Sequence, residues 1–353
     1  MKKIRIAVIG TGSISHLHIQ AYLKNRNAEV YAFCDINEKV LKAVGEKYGV
    51  TRLYTDEAEM LKALPEIDAV SVCTWNSAHA PCTIMALKAG KDVLCEKPMA
   101  LNAQEAQQML DTARKCGRKL MIGFVRRFGN DTEIMQDFLN AGTLGDIYFA
   151  KATYLRRNGN PGGWFGDKSR SGGGPLIDLG VHVIDLTRYL MGNPKPVSVY
   201  GATFRKIGNR SGLKEKVQYV SVSKSEQDIC DVEDFATALV RYDNGAVLSV
   251  EASFCLNLKQ DVGKVELFGT KGGLSLDPAL EIYTDTCGYL TNITLNKPTA
   301  LSFNGLFERE IDFFVDAVLN DKDVSSVAED GVTVMKMLDA IYKSAETGAE
   351  VRL

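Results

Sequence analysis

Long apolar runs are missing from this chain. No stretch reaches the roughly 18 consecutive apolar residues of a membrane span, which excludes a helical membrane protein. Charge of one sign is also missing. The net charge is −2 over 353 residues, and Lys and Arg are spread along the sequence. That leaves no electrostatic footprint for nucleic acid or an anionic membrane. Histidine is scarce: His16, His18, His79 and His182 are the only four, too dispersed to suggest a metal centre. None of the eight cysteines (34, 73, 82, 95, 116, 230, 255 and 287) belongs to a CxxC pair. Several lie inside apolar runs, as reduced thiols of a cytoplasmic protein do, and not as a disulfide or zinc framework. Internal repeats and low-complexity linkers are absent too. The N-terminal MKKIRIAVIGTG has a basic start, but its apolar run is short and stops at a Gly-rich turn. It reads as a first strand and not as a secretion signal.

What is present is alternation. IRIAVIG, EVYAFCD, AVSVCT, DVLCE and LMIGF read as strands. Helical segments separate them: ISHLHIQAYLKN, NEKVLKAVGEKYG with a glycine C-cap, HAPCTIMALKAG and NAQEAQQMLDTARKCG. The strands are apolar throughout, as expected when helices cover both faces. Residues 1–125 therefore predict a doubly wound parallel sheet. After about residue 125 the pattern changes to DTEIMQDFLNAG (helix), GDIYFAKATYLR (strand), a Gly-rich loop and the helix PLIDLGVHVIDLTRYLMG. Two hairpins follow, DFATALVRYDNGAVLSVEASF with its Asp-Asn-Gly turn and KVELFGTKGGLSLD, and then two helical segments from Phe307 and Gly331. Residues 126–353 predict a second, α+β domain on a mostly antiparallel sheet.

GTGSIS, residues 10–15, follows the first strand and opens a helix. Gly10 permits the tight turn and Gly12 lets the backbone approach a pyrophosphate. Ser13 and Ile14 lie where a helix start offers amide donors and a favourable dipole. Ser15 occupies the third glycine position of the dinucleotide fingerprint. Asp35 ends the second strand, 23 residues after Gly12 (35 − 12). A carboxylate there accepts bonds from the adenosine ribose hydroxyls and repels a 2′-phosphate, and Ile36 offers no cation, so NAD is expected over NADP. The plainer use of Asp35 is as a helix N-cap, shared with Asn37.

Two further stretches carry chemistry. CEKPMA ends a strand with Glu96, Lys97 and Pro98, which by itself is an ordinary strand end. In an open α/β sheet, however, ligands sit at the carboxyl ends of strands. In DLGVH, Asp178 and His182 are four apart and share one helix face. Gly172, Gly173 and Gly174 precede them and would let the backbone come close to a ligand. The plainer reading is a capping acid and a core histidine.

GTGSISHLH, CTWNSAH, CEKPMA and GGGPLIDLGVHVIDL together resemble the glucose-fructose oxidoreductase/inositol dehydrogenase (Gfo/Idh/MocA) family over nearly the whole chain. The resemblance implies a Rossmann domain, an α/β domain whose open sheet often serves oligomerisation, a nicotinamide cofactor and a sugar, cyclitol or related polyol substrate. It implies catalytic roles for Lys97, Asp178 and His182, and places Glu96 and Lys97 beside the nicotinamide ribose, with Pro98, often cis in the family, turning Lys97 into the cleft. Asp185, three residues after His182, is a further partner or an ordinary structural acid. The resemblance also implies that Thr74, Trp75 and Asn76 line the cofactor, Trp75 standing where proline is more usual. His79 falls near the adenine-ribose side, Arg127 near cofactor or substrate, and Trp164 against the nicotinamide or a sugar ring.

The expected activity is hydride transfer between the nicotinamide and a hydroxyl-bearing carbon, in a cytoplasmic homodimer or homotetramer. Two alternatives stand beside it: a non-catalytic NAD-binding sensor, and NAD-assisted glycoside cleavage. Specificity is expected from the loop at residues 156–173, whose Arg156, Arg157, Lys168 and Arg170 would meet an acidic or phosphorylated sugar or remain solvated, and from sheet residues of the second domain.

Overall fold

Short apolar runs become strands where helices can cover them, and in the computed structural model the chain does this twice. The structure describes residues 3–353 except 209, 211, 216, 218, 277, 278 and 297–302, and the side chains of 303, 304, 325 and 326 are also left aside. The chain begins with β1 (Ile4–Ile9), α1 (Ser15–Lys24), β2 (Ala28–Cys34), α2 (Glu38–Tyr48), β3 (Leu53–Tyr54) and α3 (Glu57–Ala63). It continues with β4 (Ala69–Val72), α4 (Asn76–Lys88), β5 (Asp92–Glu96), α5 (Ala103–Cys116) and β6 (Leu120–Gly123). These six strands form one parallel sheet in the order β3-β2-β1-β4-β5-β6. Chain direction across the sheet reverses between β1 and β4, the switch point at which open α/β sheets bind ligands. Asn37 and Asn102 cap α2 and α5 through their side chains, and Gly49 and Gly117 end them in the left-handed conformation, as capping preferences predict.

The later elements are α6 (Asn130–Asn140), β7 (Ile147–Leu155), α7 (Lys168–Ser171), a π turn Leu176–Gly180, α8 (Val181–Leu190), β8 (Pro196–Phe204), β9 (Phe235–Tyr242) and β10 (Val247–Ser253). Then come β11 (Val262–Gly269), β12 (Gly272–Leu276), β13 (Leu280–Thr286), β14 (Tyr289–Thr294), α9 (Phe303–Leu319), α10 (Ser325–Thr347) and β15 (Val351–Arg352). The second sheet has nine strands in the order β14-β13-β12-β11-β7-β10-β9-β8-β15. Only its β7–β10 pairing is parallel. Gly245, at φ +86°, makes the Asp-Asn-Gly hairpin between β9 and β10. Both predicted hairpins form, the second as β11 and β12. The π turn and α8 lie on β7, β10 and β11 and bury Leu176, Val181 and Ile184.

By their contacts the residues form two compact units, Met1–Val125 with Ser302–Val332, and Arg126–Leu301 with Thr333–Leu353. The sequence reading put 302–332 in the second domain, and this is a correction. Helix α9 packs on α1, with the Phe307 ring 5.5 Å from the His18 ring and Asn25 donating to Asp312 at 2.6 Å. A second correction concerns the helix expected over 175–192. It opens as a π turn and only then becomes α8. Among the described residues no helix is long and apolar enough to cross a membrane.

Candidate functional site

In the first unit, the turn after β1 is shaped by glycine. Gly10 sits at φ +84°, and a Cβ there would lie 2.7 Å from the Cys73 carbonyl carbon and oxygen and from the Thr74 amide. A side chain would push β1 off the end of β4. Around Gly12, by contrast, a Cβ would meet nothing within 4 Å. Helix α1 then starts at Ser15 with no side-chain cap and no acid in its first turn. Its amide donors and positive dipole end therefore carry no capping carboxylate from its own first turn, which suits an anion. Ser15 is fully buried and its hydroxyl donates to the Gly12 carbonyl at 2.7 Å. It thus fills the third fingerprint position and fastens the turn.

Asp35, at the end of β2, faces this turn. Its Oδ2 accepts from the Thr11 amide at 2.7 Å and the Thr11 hydroxyl at 2.9 Å, and its Oδ1 accepts from the Asn37 amide at 2.8 Å. Asn37, not Asp35, caps α2. Open space at Gly12, uncapped amides and a carboxylate on the neighbouring strand fit a dinucleotide, pyrophosphate at the helix start and ribose at Asp35. Thr11 was not foreseen, because its tie to Asp35 runs through the fold.

At the end of β5 the Lys97–Pro98 peptide is cis. Two buried histidines hold this turn. His18 donates from Nε2 to Glu96 Oε1 at 2.7 Å, while Glu96 Oε2 accepts from the Lys97 amide at 3.1 Å. Burial works against a charged His18 ring, yet Cys73 and Glu96 beside it outweigh that and push its pKa well above the ordinary value. Burial alone would raise Glu96, but the His18 bond and charge bring its pKa below normal. The two form a buried, directly hydrogen-bonded pair. On the other side His79 Nδ1 lies 2.7 Å from the Pro98 carbonyl and Nε2 lies 3.2 Å from the Thr74 carbonyl. Burial lowers the His79 pKa, and the Pro98 and Thr74 carbonyls beside the ring oppose that. The ring expected at the adenine-ribose side thus serves within the protein, tying the strand-β5 turn to the segment Thr74-Trp75-Asn76. Glu96 likewise points at His18. Lys97 is half-buried.

In the second unit, Asp178 falls within the π turn and His182 in the first turn of α8, both half-buried. A π turn inserts one extra residue into the helix and recurs at functional sites. Glu233, unnoticed in the sequence, anchors the segment. It accepts from the Gly174 amide at 2.9 Å, the Leu176 amide at 3.2 Å and the Tyr342 hydroxyl at 2.9 Å. Burial raises its pKa, opposed by these donors. The preceding glycines answer to this packing. A Cβ on Gly173 would meet the Tyr342 hydroxyl oxygen at 2.0 Å, and one on Gly174 the Glu233 carbonyl at 2.4 Å. At Gly173 and Gly174, smallness admits these protein atoms.

Arg127 and Asp185 are paired with each other. The guanidinium binds the Asp185 carboxylate through Nε, at 2.9 Å, and Nη2, and it lies 4.7 Å over the Tyr189 ring. This buried fork ties the 3₁₀ turn Val125–Phe128 to α8. It engages the arginine expected at cofactor or substrate and the acid expected beside His182. Trp164 stacks on Phe165 at 4.0 Å. In the loop expected to set specificity, Arg156 pairs with Asp261 at 2.9 Å and Arg170 with Asp167 at 3.3 Å. Lys168 stands 6.0 Å from the Tyr342 ring. The same loop borders a cavity of about 530 Å³ through Asn158 and Asn160, which Arg210, Lys224 and Asp228 also line.

Comparisons with known proteins agree with this architecture. Residues 4–124 match the family described as an oxidoreductase family with an NAD-binding Rossmann fold, and residues 133–275 match the GFO/IDH/MocA C-terminal domain. The D-glucoside 3-dehydrogenase of Escherichia coli K12 is 36% identical, over 99% of this chain and 97% of its own. The myo-inositol 2-dehydrogenase of Thermotoga maritima is 28% identical, over 99% and 98%. A levoglucosan dehydrogenase solved with NADH and L-sorbose superposes with a TM-score of 0.86 at 24% identity, covering 100% of this chain and 99% of that one. With both of its regions matched, the chain belongs to the GFO/IDH/MocA family of NAD-binding oxidoreductases.

Proposed function

We propose that this protein is an NAD-dependent dehydrogenase acting on a CH–OH group of a sugar, cyclitol or related polyol, with a D-glucoside the first substrate class to test. The observation that carries the reading is its 36% identity, over 99% of the chain, to a D-glucoside 3-dehydrogenase. When bound, NAD supplies the hydride acceptor. Gly10, Gly12, Ser13 and Ile14 would hold its pyrophosphate, and Asp35 its adenosine ribose, favouring NAD over NADP. Thr74, Trp75, Asn76 and the Glu96–Lys97 turn would line its nicotinamide half, and Trp164 is a further wall of the site.

The chain's own groups then handle the proton. His182 takes the hydroxyl proton onto its imidazole, a group suited to transfer near neutral pH. Asp178 orients that ring or a neighbouring hydroxyl. The Lys97 ammonium stabilises the alkoxide character that develops on the substrate oxygen. The experiment is a panel of glucosides, free sugars and cyclitols with NAD, read by absorbance of the reduced nicotinamide. Reduction with at least one member supports the proposal, and none across the panel removes it.

The working unit in this proposal is a cytoplasmic homodimer or homotetramer. Tyr200 and Leu239 are cross-strand partners on the large sheet, 54% and 51% exposed, and Tyr148 on the same sheet is 58% exposed. Apolar side chains of that size on a sheet face favour a second copy as cover. Light scattering at micromolar concentration is expected to give at least a dimer mass, and a monomer alone would contradict it.

A further inference from the structure

Helix α9 carries an acid that the reaction above does not use. Glu310 is fully buried, and neither of its carboxyl oxygens has a hydrogen-bond partner among the described residues. One of its oxygens, a His18 ring nitrogen and a Glu96 oxygen all lie within 4.8 Å of one another. The groups around it come from two elements, His18 and Tyr22 on α1 and Glu96 on β5, while Cys73, just after β4, acts on His18 and Tyr22, and Lys97 and His79 act on Glu96. A metal ion is a poor tenant here. His18 and Glu96 are hydrogen-bonded at 2.7 Å, whereas two ligands about 2.1 Å from one tetrahedral ion stand roughly 3.4 Å apart.

We propose that Glu310 is a positioning residue that remains a neutral acid, keeps the buried His18–Glu96 pair in its charged form, and so fixes the turn that presents Lys97. Three ionisable groups share one buried pocket. With His18 protonated, Glu96 ionised and Glu310 neutral, their charges sum to zero. A second carboxylate would leave one buried negative charge uncompensated, which is costly. An apolar residue in its place would lower the polarity around the pair and let the proton return from His18 to Glu96. Glu96 would then be a weaker acceptor for the Lys97 amide. Burial, and then the Glu96 charge, raise the Glu310 pKa from 4.5 to about 8, with His18 opposing, in agreement with a neutral carboxyl at pH 7.

The role of this acid in turnover rests on the reading of Lys97 given above, so the test has arms that do not depend on activity. Glu310→Gln keeps a neutral polar side chain, and Glu310→Leu does not. The full-length protein has only four histidines, so the His18 ring is traceable by ¹⁵N NMR. Its imidazolium is expected to persist equally in wild type and Glu310→Gln. In Glu310→Leu it is expected to lose its proton at least about one pH unit lower. Melting temperature gives the sign of the buried acid. The folded state keeps a proton that the unfolded chain releases above about pH 4.5, so rising pH favours unfolding up to about 8. Relative to wild type, Glu310→Gln should gain at least about 2 °C between pH 5 and pH 8. With NAD and any sugar that supports turnover, Glu310→Leu should lose about ten- to a hundredfold in kcat at little change in KM, and Glu310→Gln should retain activity within about threefold.

An unchanged His18 titration in Glu310→Leu overturns the proposal, and so does an unchanged melting difference in Glu310→Gln. Full kcat in Glu310→Leu overturns it too when Lys97→Ala, run beside it, is crippled. If Lys97→Ala keeps full turnover, or if no sugar reduces NAD, the reading of the site fails instead. The NMR and melting arms then decide the charge state of the triad by themselves.

Discussion

Lys97→Ala and His182→Ala are each expected to lose at least about a hundredfold in turnover while their NAD dissociation constants change little. A positioned acid/base group contributes about 10²–10⁴-fold, and a charge aimed at a developing alkoxide about 10²–10³-fold. Neither substitution opens the core. Lys97 is half-buried on a turn held from outside itself, by His18 through Glu96 and by His79 through Pro98. His182 is half-buried on a helix whose packing comes from Val181, Val183 and Ile184. Pyrophosphate and ribose contacts around Gly10, Gly12 and Asp35 remain in both variants. The double variant should fall well short of the product of the two losses, since groups acting as a unit are not additive. Turnover and cofactor titrations of the three proteins check this. Near-normal turnover in His182→Ala would return DLGVH to the plainer role of an amphipathic helix with a core histidine.

Asp35→Asn is expected to shift the NADP-to-NAD affinity ratio toward NADP by about 10²–10³-fold, since like charges set side by side cost several kcal/mol. Asparagine suits this test better than alanine. Asp35 accepts from the Thr11 amide, the Thr11 hydroxyl and the Asn37 amide, and an amide oxygen preserves part of that set. Removal of the whole side chain would loosen the turn as well and confuse charge with shape. Ile36, 75% exposed beside it, supplies no cation for a 2′-phosphate. The gain should therefore come from lost repulsion, with NAD binding falling only modestly. Titration of both cofactors into wild type and variant decides it. An unaltered ratio would leave Asp35 as a turn fastener alone.

The parts of this site that were legible in the sequence are those whose signal is local. Gly10, Gly12 and Asp35 stand at fixed offsets along strand, turn, helix and strand, and each sits where that spacing put it. The Asp-Asn-Gly hairpin was legible for the same reason. What was not legible depends on long-range contact. Nothing near Arg127 announces Asp185, and nothing near Gly174 announces Glu233, 59 positions away. The 302–332 stretch reads as any amphipathic helix, and only its packing on α1 assigns it to the first unit. Elements β3 and α3 were missed because two and seven residues are too few for a periodicity to show. The π turn at Leu176–Gly180 was read as plain helix, since one inserted residue leaves the apolar pattern nearly intact.

The most direct measurement of the central claim follows a label. A sugar or cyclitol that supports turnover is made with deuterium on the carbinol carbon and incubated with the enzyme and NAD, and the nicotinamide and the sugar product are analysed together. The account predicts one deuterium at nicotinamide C4 for each carbonyl formed, with both products at least a hundredfold slower to appear in Lys97→Ala, by the magnitudes above. Cleavage of a glycoside with no net reduced nicotinamide, or NAD bound with no label transferred from any substrate tried, would contradict it.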